Sequence, residues 1–92
     1  MRISKEFELK SIGNQFVVAR AGESGSIVFA LNETGAFLWK GIEEGLTEEE
    51  LCKKLCVEYE AEPSEEAQIG EDVEEFLSQL KTLGVLEEDG RP

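Results

Sequence analysis

Ile27-Val28-Phe29-Ala30-Leu31-Asn32-Glu33-Thr34-Gly35-Ala36-Phe37-Leu38-Trp39 is the stretch at which the chain changes its periodicity. The first five residues form an apolar run of strand length. Asn32 then offers a side-chain oxygen that can accept from an early helical N–H. Beyond it Gly35, Leu38, Trp39 and Ile42 recur at helical spacing, with Ala36 and Phe37 flanking that face. A strand here hands over to a helix.

Upstream the pattern remains that of strands. Phe7-Glu8-Leu9-Lys10-Ser11-Ile12 and Gln15-Phe16-Val17-Val18-Ala19-Arg20 are separated by Gly13-Asn14, a pair suited to a two-residue primed turn. That register sets Leu9 opposite Val18 and Ser11 opposite Phe16, and puts Phe7, Leu9, Phe16 and Val18 on one face. Ala21 to Ser26 is a small polar loop, and Ile27–Leu31 completes an antiparallel meander.

Downstream the pattern predicts two more helices. The segment Gly41 to Leu46 is expected to break the first. Thr47-Glu48-Glu49-Glu50 is a capping box, followed by Leu51, Cys52, Leu55, Cys56 and Tyr59 at helical spacing. Ala61-Glu62-Pro63-Ser64 interrupts, with Ser64 as the expected cap. Ile69, Val73, Phe76, Leu77, Leu80 and Leu83 then define a helix ended by Gly84, weakened in its first turn by Gly70. Val85 and Leu86 can cover the end of the core. The order βββααα predicts an α+β domain of winged helix-turn-helix type, spanning 1–92 as one unit.

The chain has 92 residues and a formal charge of −12, from 9 basic and 21 acidic residues. Residues 1–40 are nearly balanced, and the acid is concentrated in 41–92. That balance makes nucleic acid and anionic membrane poor partners, because both need a basic footprint. No apolar run approaches a membrane span, and the start lacks the apolar stretch of a secretory signal. A cytoplasmic protein is expected.

There is no histidine, which excludes imidazole bases, Ser-His and Cys-His dyads and imidazole metal ligands. Cys52 and Cys56, four apart, supply half of a zinc site with nothing to complete it. They also begin the Cys-x3-Cys-x2-Cys pattern of radical S-adenosylmethionine enzymes, but its third position is Tyr59. Free cysteines on an apolar helical face read best as small buried hydrophobes. The acidic pairs, from Glu43-Glu44 to Glu74-Glu75, read as solvated helix faces. The glycines form no phosphate-binding loop, and Trp39 reads as a core anchor. No cofactor and no metal are expected.

The third strand, Ile27–Leu31, is an edge without the Pro or Lys that usually blunts one. It can accept an extended peptide through main-chain hydrogen bonds. Its own wing, a loop or a homodimer partner could equally cover it.

Leu31-Asn32-Glu33-Thr34-Gly35-Ala36-Phe37-Leu38-Trp39 resembles a mark of the PqqD family, a Leu-Asn-x-Thr-Gly/Ala-x-x-Leu/Ile-Trp sequence after the third strand. Asp72-Val73-Glu74-Glu75-Phe76-Leu77-Ser78-Gln79-Leu80-Lys81-Thr82-Leu83-Gly84-Val85 resembles the same family's ending. The family takes its name from a step in pyrroloquinoline quinone biosynthesis, and its fold recurs as the recognition element of peptide-modifying systems. The resemblance implies a non-catalytic binding protein. The leader segment of a ribosomally made precursor peptide would add as a strand and be presented to a modifying enzyme, commonly a radical S-adenosylmethionine enzyme. Carried over, the backbone of Ser26, Ile27, Val28, Phe29 and Ala30 would pair with the leader. Ile27, Phe29, Val73, Phe76, Leu77 and Leu80 would line the groove, the last four also being candidates for the core. The acidic third helix adds an expectation of a leader, or partner surface, with net positive charge. The charge also opposes the alternative of a winged-helix regulator, whose recognition helix would repel phosphate.

Overall fold

The computed structural model describes residues 1–22 and 27–87. Three strands, β2 (Phe7–Ile12), β3 (Gln15–Arg20) and β4 (Ile27–Leu31), form an antiparallel sheet in the order β2-β3-β4. Three helices follow: α1 (Glu33–Glu43), α2 (Glu48–Glu58) and α3 (Glu66–Thr82). This is the α+β architecture expected from the pattern, with one addition. Two short strands, β1 (Arg2–Ile3) and β5 (Leu86–Glu87), pair with each other and join the two ends of the fold.

The hairpin register is as the sequence predicts, with Leu9 opposite Val18 and Ser11 opposite Phe16. Gly13 has φ of 61° while Asn14 stays out of the left-handed region, so the glycine alone meets the demand of the turn. Leu9 and Phe7 pack against the core beside fully buried Val18. Phe16 lies outside that core, with the Lys40 ammonium 5.7 Å from its ring centre.

The handover at Asn32 is a helix cap: its Oδ1 accepts from the Gly35 N–H at 2.7 Å. Leu38, Trp39 and Ile42 of α1 are buried against Leu51 and Leu55 of α2 and Val73, Leu77 and Leu80 of α3. At α2 the capping box is complete. Thr47 Oγ1 accepts from Glu50 N (3.1 Å), and Thr47 N donates to Glu50 Oε1 (2.8 Å).

The break expected within Gly41 to Leu46 is present: α1 runs on to Glu43, and Gly45, with φ of 91°, reverses the chain. Two expectations need correction. Ser64 does not cap α3, because Pro63–Glu65 forms a 3₁₀ turn ahead of it, with Glu62 N donating to Glu65 Oε1 at 2.8 Å. Cys52 and Cys56 are half-buried rather than sealed in the core, although Cys52 packs against it.

Candidate functional site

Strand β4 has β3 on one side and no strand on the other among the described residues. Which of its backbone groups face outward follows from the hairpin. Ala21 N donates to Glu6 O at 2.8 Å, so residues 6 and 21 form a hydrogen-bonded pair. Alternation along an antiparallel ladder then turns Val17 and Ala19 toward β2, and Phe16 and Val18 toward β4. Their partners are Leu31 and Phe29, so these two spend their N–H and C=O on β3. Ala30, between them, aims both its backbone groups away from the sheet. It is a hydrogen-bonding rung with no backbone partner among the described residues.

The ladder is irregular just before this point. Val18 faces Phe29 but Ala19 faces Ile27, leaving Val28 without an opposite number. This β-bulge puts Ile27 on the sheet face of its partner Ala19, whereas Phe29 and Leu31 lie on the opposite face with Val18 and Phe16. Ile27 and Phe29 therefore do not line one groove, as simple alternation predicts. Ile27 is 54% exposed.

Beside the outward rung, β4 and α3 enclose a groove of about 360 Å³. Its walls come from Phe29, Ala30 and Leu31 on one side and Phe76, Leu80 and Leu83 on the other, with Asn32, Gly35 and Gln79 at one end. The lining is largely hydrocarbon, which suits it to an apolar side chain rather than to proton transfer. Gly35 keeps this end open. A Cβ there would lie 3.2 Å from Leu31 Cδ2 and 3.3 Å from Asn32 Oδ1. A second depression, of about 300 Å³, shares Asn32, Gly35, Phe76 and Gln79 with the first and continues to Asp72 and Glu75.

Of the residues named from sequence, Phe29, Ala30, Phe76 and Leu80 meet at this groove. Val73 and Leu77 do not; they are sealed in the core at 0% and 5% exposure. Val28 and Ile27 sit on the exposed edge, and Ser26 lies outside the described residues. The sequence reading missed Leu31, Asn32, Gly35, Gln79 and Leu83 as lining residues. Phe76, Gln79 or Leu80, and Leu83 fall at intervals of three to four along one helix stripe, which is the signal that could have found them.

Away from the groove, Cys52 is pushed above the ordinary thiol value, first by desolvation and then by Glu48, Cys56 and Glu49. This shift is the opposite of the one that activates the thiolates of redox sites. Among the described residues no three of His, Cys, Asp and Glu could hold a metal ion, and no helix is long and apolar enough to cross a membrane.

Residues 18–86 match the family model described as Coenzyme PQQ synthesis protein D (PqqD). No curated protein matches the chain. Among solved structures, one described as TbiB1 in complex with the TbiA(beta) leader peptide is similar over the whole chain. The alignment covers 100% of this chain and 99% of that one, with a TM-score of 0.76 and 26% sequence identity.

Proposed function

Because the chain belongs to the PqqD family, we propose that it is a non-catalytic carrier for a ribosomally made precursor peptide. The leader segment of that peptide adds as a strand along β4, and the protein presents it to a modifying enzyme. The observation that carries this reading is the outward N–H and C=O of Ala30, set beside an apolar groove between β4 and α3. An extended peptide can exchange main-chain hydrogen bonds at that rung while its alternate side chains drop into the groove. The structure of TbiB1 with a leader peptide supports the same use of a similar fold. A radical S-adenosylmethionine enzyme is the partner we assign, on the family relationship; it would supply the chemistry that this apolar groove does not.

An amide NMR titration with the leader of a precursor peptide encoded beside this protein tests the reading. Saturable shifts are expected at Phe29, Ala30, Leu31 and Leu83, together with slowed hydrogen exchange at the Ala30 amide. Leu83→Ala should weaken binding about tenfold while leaving the fold intact, since Leu83 is 51% exposed. Shifts confined to the loops or to α2, or an Ala30 amide that stays fast to exchange at saturation, would remove strand addition. Copurification of the leader-loaded protein with a radical S-adenosylmethionine enzyme is the expected result for the partner; association only with an enzyme of another class would overturn that assignment.

A further inference from the structure

We propose that the groove reads charge in register with shape. It selects a peptide carrying one apolar residue and, two or four positions away on the same strand face, a lysine or arginine. This rests on the leader-binding reading and specifies the side chains that such a leader must present.

The inference comes from how the two depressions join. The apolar one is floored by Leu80 and flanked by Leu83 and Phe29. The one continuous with it, through Phe76 and Gln79, ends at Asp72 and Glu75. It lies beyond the C-terminal end of β4, past Asn32 and toward Thr34. Neither carboxylate is ion-paired among the described residues; Asp72 only accepts from Gln68 Nε2 at 3.0 Å. Both are exposed on α3, so each can take a cation without first breaking a pair.

Spacing sets the register. Measured along the axis of a helix, Leu80 to Glu75 is about 7.5 Å and Leu80 to Asp72 about 12 Å, at ~1.5 Å per residue; Asp72 falls on the stripe of Phe76 and Leu83, and Glu75 on its flank, where the long side chain of a lysine or arginine can reach across. Along a strand, two residues span about 6.7 Å and four about 13 Å. Side chains two or four apart share a face, so an apolar residue seated over Leu80 carries those neighbours to Glu75 or Asp72. A residue one or three away points from the groove. The same charges oppose a second copy of this chain as the occupant, since pairing at β4 would bring two acidic helices together.

The test is selection of a displayed library of random peptides, about twelve residues long, on the protein, with counter-selection on Ala30→Pro. Proline removes the outward N–H without touching a bond to β3, a position where edge strands tolerate it. Should Ala30→Pro unfold, Leu83→Glu serves as the groove-blocked variant. The expected result is Ala30-dependent peptides with Lys or Arg two or four positions from an aliphatic or aromatic residue. Their affinity should fall roughly two- to fivefold against Asp72→Asn/Glu75→Gln, as for exposed charge pairs. The remote pair Glu58→Gln/Glu60→Gln should have less effect. Ala30-dependent peptides with no such register, or with equal losses against both double variants, would overturn the charge inference and leave leader binding standing. No Ala30-dependent peptide at all would overturn both.

Discussion

Gly41 and Gly70 both lie inside helices, and the structure assigns them opposite roles. A Cβ on Gly41 would come within 2.5 Å of Leu51 Cδ2 and 3.3 Å of Leu46 Cδ1. Leu51 is fully buried, so it has nowhere to retreat. A Cβ on Gly70 would meet nothing within 4 Å. Gly70→Ala should therefore stabilise the protein by about 0.5–1 kcal/mol, the helix propensity difference alone. Gly41→Ala gains the same propensity but overpacks the α1–α2 contact at about 1–3 kcal/mol, for a net loss of about 1 kcal/mol. Urea unfolding of the two variants checks both signs. The cost at Gly70 is legible in sequence because it depends on local propensity. The role of Gly41 was not, because it depends on a leucine that only the folded α2 brings close. The same division holds in the site. Ala30 could be named from the strand pattern, whereas the exposure of Leu83 and the burial of Val73 depend on how far α3 rolls against β4.

Each helix ends in the same way at the scale of the element. At α1, Gly45 N donates to Ile42 O (2.9 Å) and Leu46 N to Gly41 O (3.1 Å). At α3, Gly84 N donates to Lys81 O (3.1 Å) and Val85 N to Leu80 O (2.9 Å). At α2 the pair is Glu60 N to Val57 O (3.2 Å) and Ala61 N to Cys56 O (2.9 Å). All three are Schellman motifs, and each needs a left-handed residue just past the cap. Gly45 and Gly84 supply it freely, but at α2 the residue is Glu60, with φ of 49°. A side chain there costs about 1–2 kcal/mol. Glu60→Gly should raise stability by about 0.5–1 kcal/mol, after the extra freedom that glycine gives the unfolded chain. Thermal unfolding should show an increase in Tm; a decrease would mean that the Glu60 carboxylate makes a compensating contact. Gly84 marked the end of α3 in the sequence because glycine advertises this conformation. The bulge at Val28 gave no such signal. An extra residue in one strand leaves the apolar pattern unchanged while turning Ile27 to the other face.

The strand pair that joins the ends, β1 with β5, shows what pattern reading loses at the scale of the molecule. Each strand is two residues long, and Arg2 meets Glu87 only after the intervening chain has folded. The charge asymmetry, by contrast, was fully visible in composition, and its consequences are global. A net charge of −12 repels itself within a small volume and lowers the stability of the compact state. Ion pairs such as Lys54 with Glu44, 3.2 Å apart but both about half exposed, offset little of this. Raising sodium chloride from about 10 to 150 mM shortens the screening length from about 30 to 8 Å, so repulsion between distant carboxylates fades first. Stability should rise by about 1 kcal/mol, or roughly 4–8 °C in Tm for a chain of this size. Affinity for a basic peptide should move the other way over the same range, because the field that strains the fold attracts the ligand. Measuring unfolding and peptide binding across one salt series separates the two effects. Opposite slopes are expected. If both quantities fell with salt, attraction within the fold would outweigh repulsion. A flat binding slope with rising stability would confine the acidic surface to solubility and leave recognition to the rung at Ala30 and the groove beside it.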